Sequence, residues 1–305
     1  MSRAVVIMSG GDAVSPFTTP DAACGSGLAA GNTDTALREH LLAAGHAVFT
    51  APAQNGRGVV RDAEPGSFGA FGDQPEVLGE QYTVNSVADI DLAGEHLARF
   101  LDLLRTRYGV DEVDLIGHSN GGLYCRSAIR TMGLLGIPVR TRSLTTLGTP
   151  WMGSLPLRWA FGEVPDSALM GQEFTTRFAA AFKEHLTDSD QGLAPQDTYH
   201  YLVGPGRWND AQVGALDDIP VLAVGGTYFT ADGGDPENWP NDGLVTRFSA
   251  LASGLPPEVA PRLTTLSFPV THSIFVSDLI GQPWDTGMTW NPDVLASVEA
   301  FLTTA

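Results

Sequence analysis

Short apolar runs alternating with helix-period segments lay out the chain. Ala4 to Met8 is uniformly apolar and runs into the glycine-rich loop Ser9-Gly10-Gly11-Asp12; a helical stretch from Asp34 to Ala44 then stops at Gly45. His46 to Ala51 is again short and apolar and is closed by Pro52, the pattern of a strand buried on both faces. Ile90, Ala93, Leu97, Leu101 and Leu104 recur at helical spacing, with Ser86 predicted as the cap and Gly109 as the stop. Val113 to Ile116 predicts a strand and Leu123 to Met132 the helix after it. Thr141 to Leu147, Val221 to Val224 and Leu263 to Phe268 predict three more strands. Asn291-Pro292 opens a closing helix with Val294, Val298, Phe301 and Leu302 on one face. This alternation predicts an α/β fold: a mostly parallel sheet of about six strands covered by helices on both faces.

Between Trp151 and Asp218 the alternation breaks. No strand pattern is visible there, and Met170, Phe174, Phe178, Phe182 and Leu186 recur every fourth residue. Residues 151–218 are therefore expected to form a helical insertion, a lid or cap over the carboxyl ends of the strands, although the same stripe also fits an ordinary core-facing helix. No stretch reads as a linker, so residues 1–305 are expected to be one domain carrying that insertion.

Composition narrows the partners. Seventeen Lys and Arg against 35 Asp and Glu give a formal charge of −18, which repels phosphate backbones and anionic lipid, so nucleic acid is not expected as a partner. Mean hydropathy is +0.01, and no apolar run approaches the roughly 20 residues of a membrane span. Met1-Ser2-Arg3 leads straight into a core-strand pattern rather than a signal peptide; as written, the chain is expected in the cytoplasm, or outside if a leader has been removed. Cys24 and Cys125 match no metal or redox spacing, and a disulfide or two unpaired thiols both remain open. No cofactor or metal is expected.

The chemistry begins at Gly117-His118-Ser119-Asn120-Gly121-Gly122, a G-x-S-x-G string placed where a strand hands over to a helix. A serine there must take a strained turn that stands its hydroxyl clear of the sheet, and the helix that follows favours negative charge on an attacked carbonyl. Serine needs a base, and the base needs an orienting group. Of seven histidines, His40, His96 and His185 fall in predicted helices, and His46 begins a strand. His118 is turned from Ser119 by the sharp bend, and His200 lies in the insertion. His272 follows the last strand, where the loops converge, and is the expected base. Asp232, Asp235, Glu237, Asp242 and Glu258 all satisfy the chain order for the acid; Asp242 is favoured because Asn241-Asp242-Gly243-Leu244-Val245 is a tight turn that can fix a carboxylate by backbone amides. The oxyanion hole would use the amide of Asn120 and one from the first loop: Gly11, with Asp12 the alternative.

These residues resemble the bacterial lipases and esterases of the α/β-hydrolase superfamily, particularly triacylglycerol lipases of the pseudomonad type. The resemblance rests on the Ser119 elbow, on Leu147-Gly148-Thr149-Pro150 with Gly153-Ser154, on Asn241-Asp242-Gly243-Leu244-Val245 and on His272, all in the expected order. It implies the α/β-hydrolase fold and a triad of Ser119, Asp242 and His272. Such lipases usually carry His-Gly-x in the first loop, where this chain has Ser9-Gly10-Gly11. Their Gly-Thr-Pro is usually followed by His, where Trp151 and Met152 stand here, which places those two in the expected substrate pocket. The family's structural calcium uses an aspartate two residues past the histidine; that position is Ile274, so calcium is not carried over.

The expectation is a serine hydrolase cleaving small-molecule or lipid esters with a hydrophobic acyl chain through an acyl-enzyme. An acyltransferase or thioesterase using the same intermediate is the alternative, and a non-catalytic binding protein on the same fold is a third reading.

Overall fold

The computed structural model describes residues 2–22, 33–60, 76–186 and 193–305. Its centre is a six-stranded parallel sheet. In chain order the strands are β1 (Arg3–Met8), β2 (Val48–Thr50), β5 (Glu112–His118), β6 (Arg140–Leu147), β7 (Val221–Gly226) and β8 (Leu263–Phe268), arranged as β2-β1-β5-β6-β7-β8. Two further short strands, β3 (Ala53–Gln54) and β4 (Val84–Asn85), pair in parallel beside the loop after β1. They are two residues each, too short for any periodicity to reveal.

The register explains why the strand sequences are apolar at consecutive positions. Val6, Leu115, Leu144 and Val221 lie side by side across four strands and face one core, which also takes Leu97 and Leu101 of helix α2 (Ile90–Tyr108) and Ile129 of α3 (Gly121–Leu135). Their neighbours Ile7, Ile116 and Leu222 face a second core with Leu37 and Leu41 of α1 (Thr35–Ala43) and Val294, Val298 and Leu302 of α10 (Pro292–Thr304). A strand with helices on both faces has no solvent side. Truncating any of these side chains to alanine would cost about 2–5 kcal/mol. By contrast β8 closes one edge, and most of it is exposed, which matches its mixed Leu-Thr-Thr-Leu-Ser-Phe sequence.

Helix ends follow the sequence in part. Gly109 takes the left-handed conformation (φ 65°) that ends α2, and the Asn291 side chain accepts from the amides of Asp293 and Val294 at 3.1 and 3.3 Å to start α10. Ser86 does not cap α2. Its hydroxyl instead donates to the carbonyls of Ala13 and Gln54, tying the β3–β4 ladder to the loop after β1, and the helix starts later, at Ile90.

Between β6 and β7 the described residues form helices only: α4 (Leu155–Ala160), α5 (Glu173–Leu186), α6 (Leu193–Gln196) and α7 (Tyr199–Leu202). Phe174 and Phe178 of α5 stack 5.8 Å apart, and Phe174 stacks on Phe229 at 5.1 Å. Met170 sits before α5 and is exposed; the side chains of Phe182 and Leu186 lie outside the described residues. The remaining α-helices among the described residues are α8 (Arg247–Ala250) and α9 (Ile274–Leu279). No helix among the described residues is long and apolar enough to cross a membrane. Cys125 is buried on α3 as a free thiol, while Cys24 lies outside the described residues.

Candidate active site

Ser119 occupies the junction of β5 and α3 with φ 55°, a left-handed conformation that is costly for a residue with a side chain. The surroundings hold it there. Its amide donates to the Leu147 carbonyl at 2.8 Å, which ties the turn to the end of β6. The chain also crowds it from two sides: a Cβ on Gly10 would lie 2.6 Å from the Ser119 Cβ, and one on Gly121 would lie 2.2 Å from the Met8 carbonyl oxygen. Only glycine lets β1's loop and α3 approach this closely.

Asp242 and His272 meet on the far side of the site. Asp242 is fully buried after β7; its Oδ1 accepts from the amides of Leu244 and Val245 at 2.9 and 2.7 Å, and its Oδ2 accepts from His272 Nδ1 at 2.8 Å. That pairing places the His272 proton on Nδ1 and leaves Nε2 as the basic nitrogen. The histidine backbone is pinned at both ends: its amide donates to the Asp242 carbonyl and its carbonyl accepts from His118 Nε2, each at 2.8 Å. The two imidazoles lie 4.9 Å apart, and burial pushes His118 down to about 3, so it stays neutral and remains a donor. His118 thus faces the His272 loop, and it lines the same cavity as Ser119. The other carboxylates in chain order, Asp232, Asp235, Glu237 and Glu258, lie outside the buried core.

Ser119 and His272 line one cavity of about 390 Å³. Gly11 and Asn120 line it too. The Asp12 amide is taken by the Ser86 carbonyl at 3.2 Å, whereas no described backbone carbonyl accepts from the amides of Gly11 or Asn120. The loop carrying Gly11 is anchored by a buried relay in which Ser15 Oγ donates to Ser9 Oγ and Ser9 Oγ to Asp34 Oδ2, each at 2.7 Å. Burial raises the Asp34 carboxyl to about 7. The cavity's apolar wall comes from Leu157 of α4, Phe178 of α5, Leu244, and Val276 with the exposed Phe275 and Leu279 of α9.

Two expected pocket residues are elsewhere. Trp151 and Met152 are buried in the core and do not line the cavity. The Trp151 indole donates to Thr146 Oγ1 at 3.1 Å and packs 4.0 Å from the Arg126 guanidinium, because the chain after Pro150 turns inward against α3 instead of toward the cavity. Their apolar character reflects packing. Conversely, sequence reasoning missed the roles of His118, Asp34 and a third group, Asp197, which lines the cavity from the segment between α6 and α7. Asp34 was legible only as the first residue of a predicted helix, and nothing local marks a carboxylate that turns to face Ser9. Among the described residues no cluster of three or more His, Cys, Asp or Glu could hold a metal ion.

No protein-family model and no curated protein matches the sequence. Solved structures do. A Bacillus licheniformis lipase, BlEst2 in its propeptide form, superposes with a TM-score of 0.52 at 16% identity over 89% of this chain and 46% of that one. This chain therefore spans about half the length of that lipase. An α/β hydrolase fold protein from Chitinophaga pinensis superposes with a TM-score of 0.51 at 12% identity, over 100% of this chain and 90% of its own. With the parallel sheet, the helices on both faces and the strained serine between β5 and α3, these likenesses identify the chain as an α/β-hydrolase fold protein.

Proposed function

We propose that this protein is a serine hydrolase that cleaves carboxylic esters with a hydrophobic acyl chain. The observation that carries the reading is the placement of Ser119 and His272 on one cavity, with Asp242 2.8 Å behind His272 Nδ1. In the reaction His272 Nε2 takes the Ser119 proton as Oγ adds to the ester carbonyl. Asp242, acceptor-only toward His272, stabilises the imidazolium. The amides of Gly11 and Asn120 receive the developing oxyanion, aided by the N-terminus of α3. The tetrahedral species collapses, His272 returns the proton to the leaving alkoxide, and water repeats the sequence to free the acid. The apolar cavity wall supports a hydrocarbon acyl chain, and Leu157 and Phe178 bring residues 151–218 into that role as a cap. Hydrolysis of p-nitrophenyl esters from acetate to palmitate, with wild type beside Ser119→Ala and with and without a lipid–water interface, tests the proposal. Activity that depends on Ser119 supports it; equal rates for the two proteins overturn it.

A further inference from the structure

The cavity holds a polar group for which ester cleavage has no use. Asp197 is 3% exposed and lines the cavity together with Ser119 and Asn120. Its Oδ1 accepts from the Ser154 amide at 3.1 Å, and the side chains of Ser154 and Asn120 lie beside its carboxyl. Every one of these neighbours is neutral. Among the described residues Asp197 forms no ion pair, and the ionisable residues lining the cavity are Asp12, Asp197, His118 and His272, with no Lys or Arg. Glu163, from the segment after α4, adds like charge nearby, and burial raises the Asp197 carboxyl to about 8. Beside it, Asn120 Oδ1 is buried with no partner.

A desolvated carboxyl without a counter-charge is costly, and a cation entering the cavity is what would restore its ionised form. An alkyl group reaching this wall would leave the carboxyl as it is, and a carboxylate or phosphate would meet like charge in a chain of net charge −18. We propose that Asp197, with Asn120, forms a subsite for a substrate ammonium, so that the preferred ester carries an amine in one of its two halves. This rests on the ester-hydrolase reading above. The contact with Asn120, the residue after the nucleophile, puts the subsite beside the reacting carbonyl.

The test compares esters matched except for the amine: p-nitrophenyl alaninate against propionate, p-nitrophenyl ω-aminohexanoate against hexanoate, and, with the amine on the alcohol side, aminoethyl butyrate against ethyl butyrate. In wild type, at least one amine-bearing ester should exceed its neutral match by about tenfold or more in kcat/KM, as a charge-assisted hydrogen bond implies. Asp197→Asn should bring that ratio to near one, whatever it does to the neutral ester. A merely structural Asp197 would lower both members of a pair together. Inhibition of wild type by hexylamine and by hexanol gives a readout that needs no variant: the amine should bind about tenfold more tightly. Ratios alike in wild type and Asp197→Asn, or hexanol binding as well as hexylamine, would overturn the subsite and leave the hydrolase standing. No Ser119-dependent hydrolysis of any ester would overturn the hydrolase reading itself.

Discussion

Replacing Asp242 by Asn tests how the site divides labour. The carboxylate makes three hydrogen bonds: Oδ1 accepts from Leu244 and Val245, and Oδ2 from His272 Nδ1. An asparagine keeps the first two, because its Oδ1 can face the same amides. The third is inverted, since the Nδ2 amine then points at Nδ1 and can only donate. His272 must move its proton to Nε2 to accept that bond, and the nitrogen facing the nucleophile loses its basicity. In a serine protease triad the same aspartate-to-asparagine change, with the same tautomer error, lowers kcat about 10⁴-fold, which corresponds to roughly 5.5 kcal/mol of transition-state stabilisation. Folding should lose far less, about 1.5–3 kcal/mol for one charge-assisted bond, because the turn amides stay paired. Initial rates on p-nitrophenyl butyrate and a thermal melt separate the two effects. A fall in kcat of less than about tenfold in a folded variant would refute the orienting role of Asp242.

Other residues give independent checks. Gly10→Ala places a Cβ 2.6 Å from that of Ser119, and the resulting displacement should lower kcat/KM by about 100-fold with the circular dichroism unchanged; full activity would contradict the close approach. His118→Ala removes the donor to the His272 carbonyl and should destabilise the fold by about 1–3 kcal/mol while lowering kcat, which denaturant titration and steady-state rates would read; an unchanged kcat would show that His118 does not position His272. The Asp34 carboxyl, raised from 3.8 to about 7, keeps its proton in the folded protein where the unfolded chain has released it, so its contribution to stability falls as pH rises between those values and is constant above. Asp34→Asn retains an acceptor for Ser9 and removes this titration, so its unfolding free energy relative to wild type, from denaturant melts at each pH, should be higher near pH 8 than near pH 4, by up to the order of 4 kcal/mol. A difference independent of pH would contradict it.

The sheet was legible because burial on both faces demands apolar residues at consecutive positions, as in Ala4 to Met8 and Val113 to Ile116. The elbow at Ser119 was legible because a strained serine between a strand and a helix needs glycines beside it, and these are local requirements. The turn at Asp242 announced itself similarly, through Asn241 and Gly243. What stayed hidden depends on contacts distant in sequence. Ser86 has the residue type of a cap but serves loops that fold against it, and Trp151 follows Pro150 into the core because Arg126 and Thr146 wait there. Asp34 and Asp197 lie 25 and 43 residues from their partners Ser9 and Ser154, so nothing in their neighbourhoods distinguished them from surface acids. His118 sits within the most visible motif, yet its role appears only when the loop 154 residues away is placed against it.

Covalent acylation of Ser119, with His272 as the base, is the step on which the proposed chemistry stands. Intact-mass spectrometry after exposure to a fluorophosphonate, on wild type, Ser119→Ala and His272→Ala, tests it most directly. One adduct is expected on wild type, mapped to Ser119 by peptide sequencing, with none on Ser119→Ala and labelling slowed by orders of magnitude in His272→Ala. An adduct on another residue, or ester hydrolysis by a wild-type protein that never acquires the label, would contradict it.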